Sequence, residues 1–382
     1  MKRTFVIACA MMLVLALGSG VVHAKGKPPK DPPPDDPPPE PTVELLPWGV
    51  DRIDADMVWE TTTGAGIKVA ILDTGIDKNH PDLAANIKGG VNTLGTNVPN
   101  DEFDDQDGHG TRIAGVIGAV DNTEGVIGIG PGIDLYAVRF RKNLPMLTDD
   151  NGERPELYAG MRWCIDNNMQ VISMSFTVWS VKWVKRKPQP DKPEHDSIFY
   201  ALIQEAYEKG IVLVAAMGND SVQVDDYDPA DYQQFDENYR FPASYPEVIG
   251  VSSIDDEDSF ASYSNYGTAV DLAAPGVSVE TTTIDGYGTF GGTSAACPHV
   301  AATAALVLKQ LGATAPQPGL PDQVRTILTG TAEWLSGLTS DQQGEGLVDA
   351  EAAVSSSSSA PALYTLSPRG KLSVTWGELK NR

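Results

Sequence analysis

Short apolar runs recur along the chain at Val69–Leu72, Leu135–Phe140, Val171–Phe176, Ile211–Ala216, Val248–Ser252 and Val270–Ala274. They are continuous rather than alternating, the pattern of strands covered on both faces. Between or after them, Thr111–Val120, Glu156–Asn167, Ser197–Lys209 and Ser294–Leu311 carry helical patterning. Strands alternating with helices predict an α/β fold, a three-layer, doubly wound, mostly parallel sheet. In such sheets ligands bind beyond the carboxyl ends of the strands. Asp73 and Asn219 each fall just past an apolar run, which puts them on that edge.

The ends of the chain depart from this pattern. Residues 1–24 have Lys2 and Arg3, an apolar run from Phe5 and small residues closing at Ala24. These are the marks of a signal peptide, with cleavage expected after Ala24. Lys25–Pro41 holds nine prolines in 17 positions, so residues 25–43 read as a Pro-rich linker, stiff and roughly 50 Å long. Residues 44–354 form the expected catalytic-size domain, and 355–382 a serine-rich joint with a short tail. Two stretches inside the domain look inserted: the basic, aromatic Val178–Asp196 and the acidic Asp220–Tyr239.

Charge narrows the partners. The net charge of −24 becomes −26 once Lys2 and Arg3 leave with the leader, so nucleic acid is not expected, because phosphate binding needs a basic face. No later stretch is long and apolar enough to span a membrane. An exported protein is expected, extracellular or periplasmic. Only Cys164 and Cys297 remain after cleavage: one disulfide or two buried thiols, and in neither case a disulfide-built scaffold.

The chemistry begins with VAILDTGIDKNHPDL, Val69 to Leu83. Asp73-Thr-Gly after a strand could be half of an aspartic-protease pair or the acid that orients a histidine. The pair needs a second Asp-Thr/Ser-Gly, and the chain has none. A base for Asp73 to orient is at hand in His109, flanked by glycines in GHGT directly before a helix pattern. His299, in CPHV, reads as a packed histidine. Ser294 follows Gly291-Gly292 and opens a helix among small residues, where free backbone N–H groups and the helix dipole favour a nucleophile, although a capping serine has the same look. Chain order is Asp73, His109, Ser294, and the Gly-x-Ser-x-Gly elbow of α/β-hydrolases is absent.

Four blocks in order, VAILDTGIDKNHPDL, DGHGTRIAGVIGA, VLVAAMGND and GGTSAACPHVA, make most of Pro47–Val354 resemble the subtilisin-like serine proteases (subtilases). The resemblance implies a secreted serine endopeptidase with Asp73, His109 and Ser294 as its triad and an acyl-enzyme intermediate. It also implies Asn219 as the side-chain donor to the oxyanion, and Ser175, Phe176, Thr177 and Gly218 along the substrate. Structural calcium follows from the same likeness, held by Glu44, Asp82, Val120, Asn122, Glu124 and Val126, and the acidic run before His109 suggests a second ion. Protein or peptide substrates and a monomer complete the expectation.

Departures from the family pattern bear on specificity. Arg112 stands where the family most often has histidine, and Ala302 where glycine is frequent. The usual Ser-Leu-Gly-Gly edge reads Ser175-Phe-Thr-Val here, which narrows substrate entry. That edge leaves a second reading, a catalytically weak subtilase-fold protein that binds peptides or cations. Asp220, beside Asn219 and ahead of the acidic insert, raises a preference for a basic residue before the cut; a solvated loop is the plainer alternative.

Overall fold

The computed structural model describes residues 43–95, 100–142, 154–178, 197–226 and 239–358. The leader, most of the proline-rich linker, the tail, nearly all of the basic insert and the middle of the acidic one lie outside the described residues.

In chain order the elements are α1 (Trp48–Arg52), β1 (Lys68–Asp73), β2 (Ile87–Asn92), α2 (His109–Gly118), β3 (Asp134–Arg139), α3 (Pro155–Asp166), β4 (Val171–Met174) and α4 (Ser197–Lys209). There follow β5 (Val212–Ala216), β6 (Ile249–Ile254), β7 (Leu272–Pro275), β8 (Val279–Thr283), β9 (Gly286–Phe290), α5 (Thr293–Gln310), α6 (Leu320–Thr331), α7 (Ser340–Gln343) and α8 (Ala350–Ser357). Seven strands form one sheet in the order β2-β3-β1-β4-β5-β6-β7, every neighbour parallel. Strands β8 and β9 pair antiparallel as a separate hairpin.

The strand sequences explain the three layers. Successive side chains point to opposite faces, and both faces are apolar. Val69, Ile71, Val171, Val212 and Val214 pack with α2, α5, α6 and α8. Ala70, Leu72, Ile172, Met174 and Leu213 pack with α3 and α4. The predicted α/β class is the observed one, and each predicted strand and helix has a counterpart within a few residues. Helix α5 is buried from Thr293 to Leu308, so it is apolar all round rather than amphipathic, as a central helix must be.

Three features were not read from the pattern. Strand β2 carries two glycines and is only half-buried, and the β8–β9 hairpin is rich in threonine and glycine, so neither presents an apolar run. Helix α8 continues to Ser357, taking in three of the serines expected to form a loose joint. Asp349 caps it by accepting from the Ala352 N–H at 2.7 Å, and Ser357 Oγ returns to the Ala353 carbonyl. Capping and back-bonding outweigh serine's modest helix propensity here. Cys164 and Cys297 are both free and buried.

The sheet order sets up the site. Strands β3, β1, β4 and β5 are consecutive neighbours, so the chain just past each one meets at the same carboxyl edge. Those positions are Arg141, Asp73, Ser175 and Asn219.

Candidate active site

Asp73 ends β1 with its side chain fully buried. A buried carboxylate must be paired or hydrogen-bonded, and this one is. Oδ1 accepts from the Thr74 N–H at 2.7 Å and from His109 Nδ1 at 2.9 Å. Oδ2 accepts from Arg141 Nη2 at 2.7 Å. Burial works to raise its pKa, but Arg141 and His109 outweigh it and bring the group down to about 2. Asp73 is therefore ionised at neutral pH.

His109 opens α2, and the turn ahead of it is organised by Asp105. Its Oδ1 accepts from the Asp107 and Gly108 N–H groups, and its Oδ2 from the backbone and hydroxyl of Thr111. Asp105 is buried and holds the turn through these four bonds. Gly110 lets α2 lie directly on the Asp73 loop, since a Cβ there would overlap the Gly75 carbonyl oxygen; its N–H donates to Thr74 Oγ1. Phe290 of β9 packs edge-on against the imidazole, with 5.3 Å between ring centroids. With Nδ1 turned to Asp73, Nε2 has no partner among the described residues.

Ser294 lies in the first turn of α5, with 9 % of its surface exposed. Its hydroxyl donates to the Ser175 carbonyl at 3.3 Å. Among the described residues no hydrogen bond joins it to His109. Pro298 explains the return contact. It has no N–H for the carbonyl four residues earlier, that of Ser294, and Ser175 Oγ donates to that carbonyl at 3.0 Å instead. The proline that would weaken the helix thus leaves an acceptor that ties β4 to the serine.

Asn219 is held by a residue the sequence reading passed over. Its Oδ1 accepts from the Thr293 N–H at 2.9 Å and from Thr293 Oγ1 at 3.1 Å. Thr293 Oγ1 in turn accepts from the Gly218 N–H. That leaves Asn219 Nδ2 and the Ser294 N–H without acceptors among the described residues, two donors at the start of the same helix.

The edge that follows β4 is shorter than its sequence suggests. Val178 is buried, and its backbone bonds Phe241 in both directions, at 2.6 and 3.3 Å. Thr177 makes no backbone hydrogen bond among the described residues. Gly218 faces it closely: a Cβ on Gly218 would lie 3.1 Å from the Thr177 methyl and 2.6 Å from Asn265 Nδ2. Asp220, one candidate for a basic-residue preference, pairs with Arg240 at 3.2 Å, so its charge is already answered.

The calcium candidates do come together. Asn122 Nδ2 donates to Asp82 Oδ1 at 2.7 Å, the Val126 N–H to Asp82 Oδ2 at 3.0 Å, and the Asn122 N–H to Glu44 Oε1 at 2.8 Å. Leu45 bridges Val126 in parallel, which brings Glu44 to the loop. Burial raises the pKa of Glu44, with Asp121 adding to it against the Asn122 bond. The carbonyls of Val120, Glu124 and Val126 accept no hydrogen bond among the described residues. Two carboxylates, an amide and three open carbonyls gather in one place, a hard oxygen set of the kind Ca²⁺ takes; the Asn122 oxygen accepts from the Glu124 N–H at 2.9 Å while its Nδ2 faces Asp82, so the set fits the ion once that amide turns.

His299 sits within α5, where Nδ1 bonds the Ala295 carbonyl at 2.8 Å and Nε2 is buried without a partner among the described residues. It is the packed histidine that its sequence context suggested. Among the described residues, no helix is long and apolar enough to cross a membrane.

The family model described as the subtilase family matches residues 64–353. A subtilisin of Bacillus pumilus is 34 % identical over 315 residues, covering 81 % of this chain and 99 % of the relative. Subtilisin amylosacchariticus of Bacillus subtilis subsp. amylosacchariticus is 34 % identical over 81 % of this chain and 71 % of its own length. Alkaline elastase YaB of Bacillus sp. (strain YaB) is also 34 % identical, over 82 % of this chain and 71 % of the relative.

Proposed function

This chain belongs to the subtilase family and is a serine endopeptidase, and we propose that it is secreted and cuts peptide bonds through Ser294, His109 and Asp73. The observation that carries the assignment of residues is the 2.9 Å bond between His109 Nδ1 and fully buried Asp73. It commits one imidazole nitrogen and leaves Nε2 as the base.

In this reading His109 Nε2 takes the Ser294 proton as Oγ attacks the substrate carbonyl. The tetrahedral oxyanion is met by the Ser294 N–H and Asn219 Nδ2. His109 then gives the proton to the departing amine, leaving an acyl-enzyme that water hydrolyses by the same route in reverse order. Asp73 stays ionised and holds the tautomer. The substrate backbone pairs with Ser175, Phe176 and Thr177. The Thr177 methyl close to Gly218 favours a small side chain before the cut, and the Asp220–Arg240 pair speaks against a basic one.

Calcium, when bound, would be held by Glu44, Asp82 and Asn122 with the Val120, Glu124 and Val126 carbonyls. It would supply cross-linking of the loop and no chemistry. Export, removal of residues 1–24 and a monomeric state belong to the same proposal, carried by the leader sequence and the acidic charge.

A fluorophosphonate probe tests the assignment. Stoichiometric labelling that vanishes in Ser294→Ala is expected, and labelling that persists in that variant overturns it.

A further inference from the structure

Neither motif that defines the Asp73–His109 couple contains the cation that sits on it. Arg141 lies two residues past β3, its side chain only 3 % exposed. Nη2 is 2.7 Å from Asp73 Oδ2 and 3.0 Å from His109 Nδ1. Its guanidinium carbon stands 5.8 Å from the Phe140 ring centre and 5.9 Å from that of Phe176. Nε and Nη1 are buried without partners among the described residues. Among the described residues, Asp73 is the only acid paired with this buried arginine.

We propose that Arg141 is a positioning residue that acts through the Asp73–His109 couple, keeping the imidazole neutral and able to accept a proton in more acidic solution than the couple alone would. The proposal rests on the reading of His109 as the base. With the Nδ1 proton directed at Asp73 Oδ1, the guanidinium can offer no hydrogen bond to that nitrogen and stands beside it as bare positive charge. An imidazolium would place a second positive charge next to the first, with one carboxylate to share between them. Like charges this close in a buried site disfavour the charged form. Arg141 also occupies Oδ2, so the imidazole is confined to Oδ1.

The other charged or titratable groups around the couple are engaged elsewhere or lie further along their elements. Arg139 on β3 donates to Gln106 Oε1 and to the Glu102 carbonyl. Asp105 ahead of α2 is used by the turn, and Glu280 on β8 accepts from the Trp48 N–H. Arg112 lies on α2 itself, and Lys142 is exposed. On α5, the Cys297 thiol is pushed up to about 11, burial being the main cause, and His299 is kept neutral by burial. None of these answers the Arg141 charge.

The test is the rate of fluorophosphonate labelling of the full chain as a function of pH, in wild type, Arg141→Met and Arg141→Lys. A group that merely fills space would alter the rate without moving its acid limb. Arg141→Met is expected to move the half-maximal rate up by about one pH unit or more, the size of effect a close charge exerts. Arg141→Lys keeps the charge and should stay near the wild-type profile. Thermal melts check folding, and Arg141→Gln replaces Arg141→Met if the latter does not fold. An unmoved acid limb in the uncharged variant overturns the proposal, as does an Arg141→Lys profile displaced as far as Arg141→Met. A wild-type chain that does not label at all would defeat the assignment of Ser294 as well.

Discussion

Thr293 fixes which end of the Asn219 amide is left to meet another group. Two hydrogen bonds to Oδ1, from the threonine's N–H at 2.9 Å and its hydroxyl at 3.1 Å, leave only Nδ2 to donate. An oxyanion donor works because it is oriented before the charge develops. Thr293→Val keeps the N–H bond and removes the hydroxyl one. It should lower kcat by less than the roughly 10²–10³-fold expected of Asn219→Ala, with KM little changed in both. Combined, the two changes should cost hardly more than Asn219→Ala alone, since they act on one donor. Steady-state kinetics on a peptide ester and on an amide would show it; fully additive losses would mean that Thr293 acts elsewhere.

Thr177 and Gly218 lie close together, a Cβ on Gly218 coming within 3.1 Å of the threonine methyl, and the proposed function sets both beside the residue before the cut. Thr177→Gly should therefore raise kcat/KM for a large residue before the cut relative to alanine. About tenfold or more is expected, because filling a pocket is worth roughly 1–3 kcal/mol per methylene. Asp220→Asn should leave the ratio of lysine to leucine unchanged, since Arg240 already neutralises that carboxylate. Competition between peptides that differ at this one residue measures both; a marked loss of lysine cleavage in Asp220→Asn would restore the basic preference.

How far the sequence went depends on what each residue does locally. Asp73, His109, Ser294 and Asn219 stand in short motifs whose turns and glycines are visible in the order of the residues. Arg141 is in no motif, and it reaches Asp73 only because β3 pairs with β1 in a register that sets Arg139 beside Asp73. Its one visible signal was a charge directly after an apolar run. Thr293 was passed over, because its partner is 74 positions away. Asp105 was one acid among several, distinguishable only once the turn that it holds is folded. The sheet was legible because its strands are apolar on both faces; β2 and the β8–β9 hairpin were not, because glycine, threonine and half-burial erase that signal.

The loop at Asn122 offers a test of calcium that does not depend on activity. Asp82 and Glu44 both lie against it, so an ion there would stabilise the folded state by mass action. At roughly 100 times its dissociation constant the gain is about 2.7 kcal/mol, or a rise in Tm of about 4 °C for a domain of this size. Adding CaCl₂ after chelation should produce that rise in wild type and a much smaller one in Asp82→Asn. An equal rise in the two proteins would place any bound calcium somewhere other than this loop.

His299 makes stability depend on pH independently of the active site. Its imidazole is fully buried, and burial pushes its pKa from about 6.5 down to about 4, only partly offset by the Ala295 carbonyl. Protonation would place a cation on Nε2, which has no acceptor among the described residues. The folded form thus resists a proton that the unfolded chain accepts. The stabilisation is complete above about pH 6.5 and is lost as pH falls towards 4. Between about pH 7 and pH 5 the loss should reach about 2 kcal/mol, at roughly 1.4 kcal/mol per pH unit. Denaturant unfolding of wild type and His299→Leu at both pH values isolates it. The leucine variant starts lower, having lost the Ala295 bond and the fit, but the gap between the two proteins should shrink by that amount on acidification. A gap that stays constant would mean that His299 binds its proton equally well in the folded and unfolded chains.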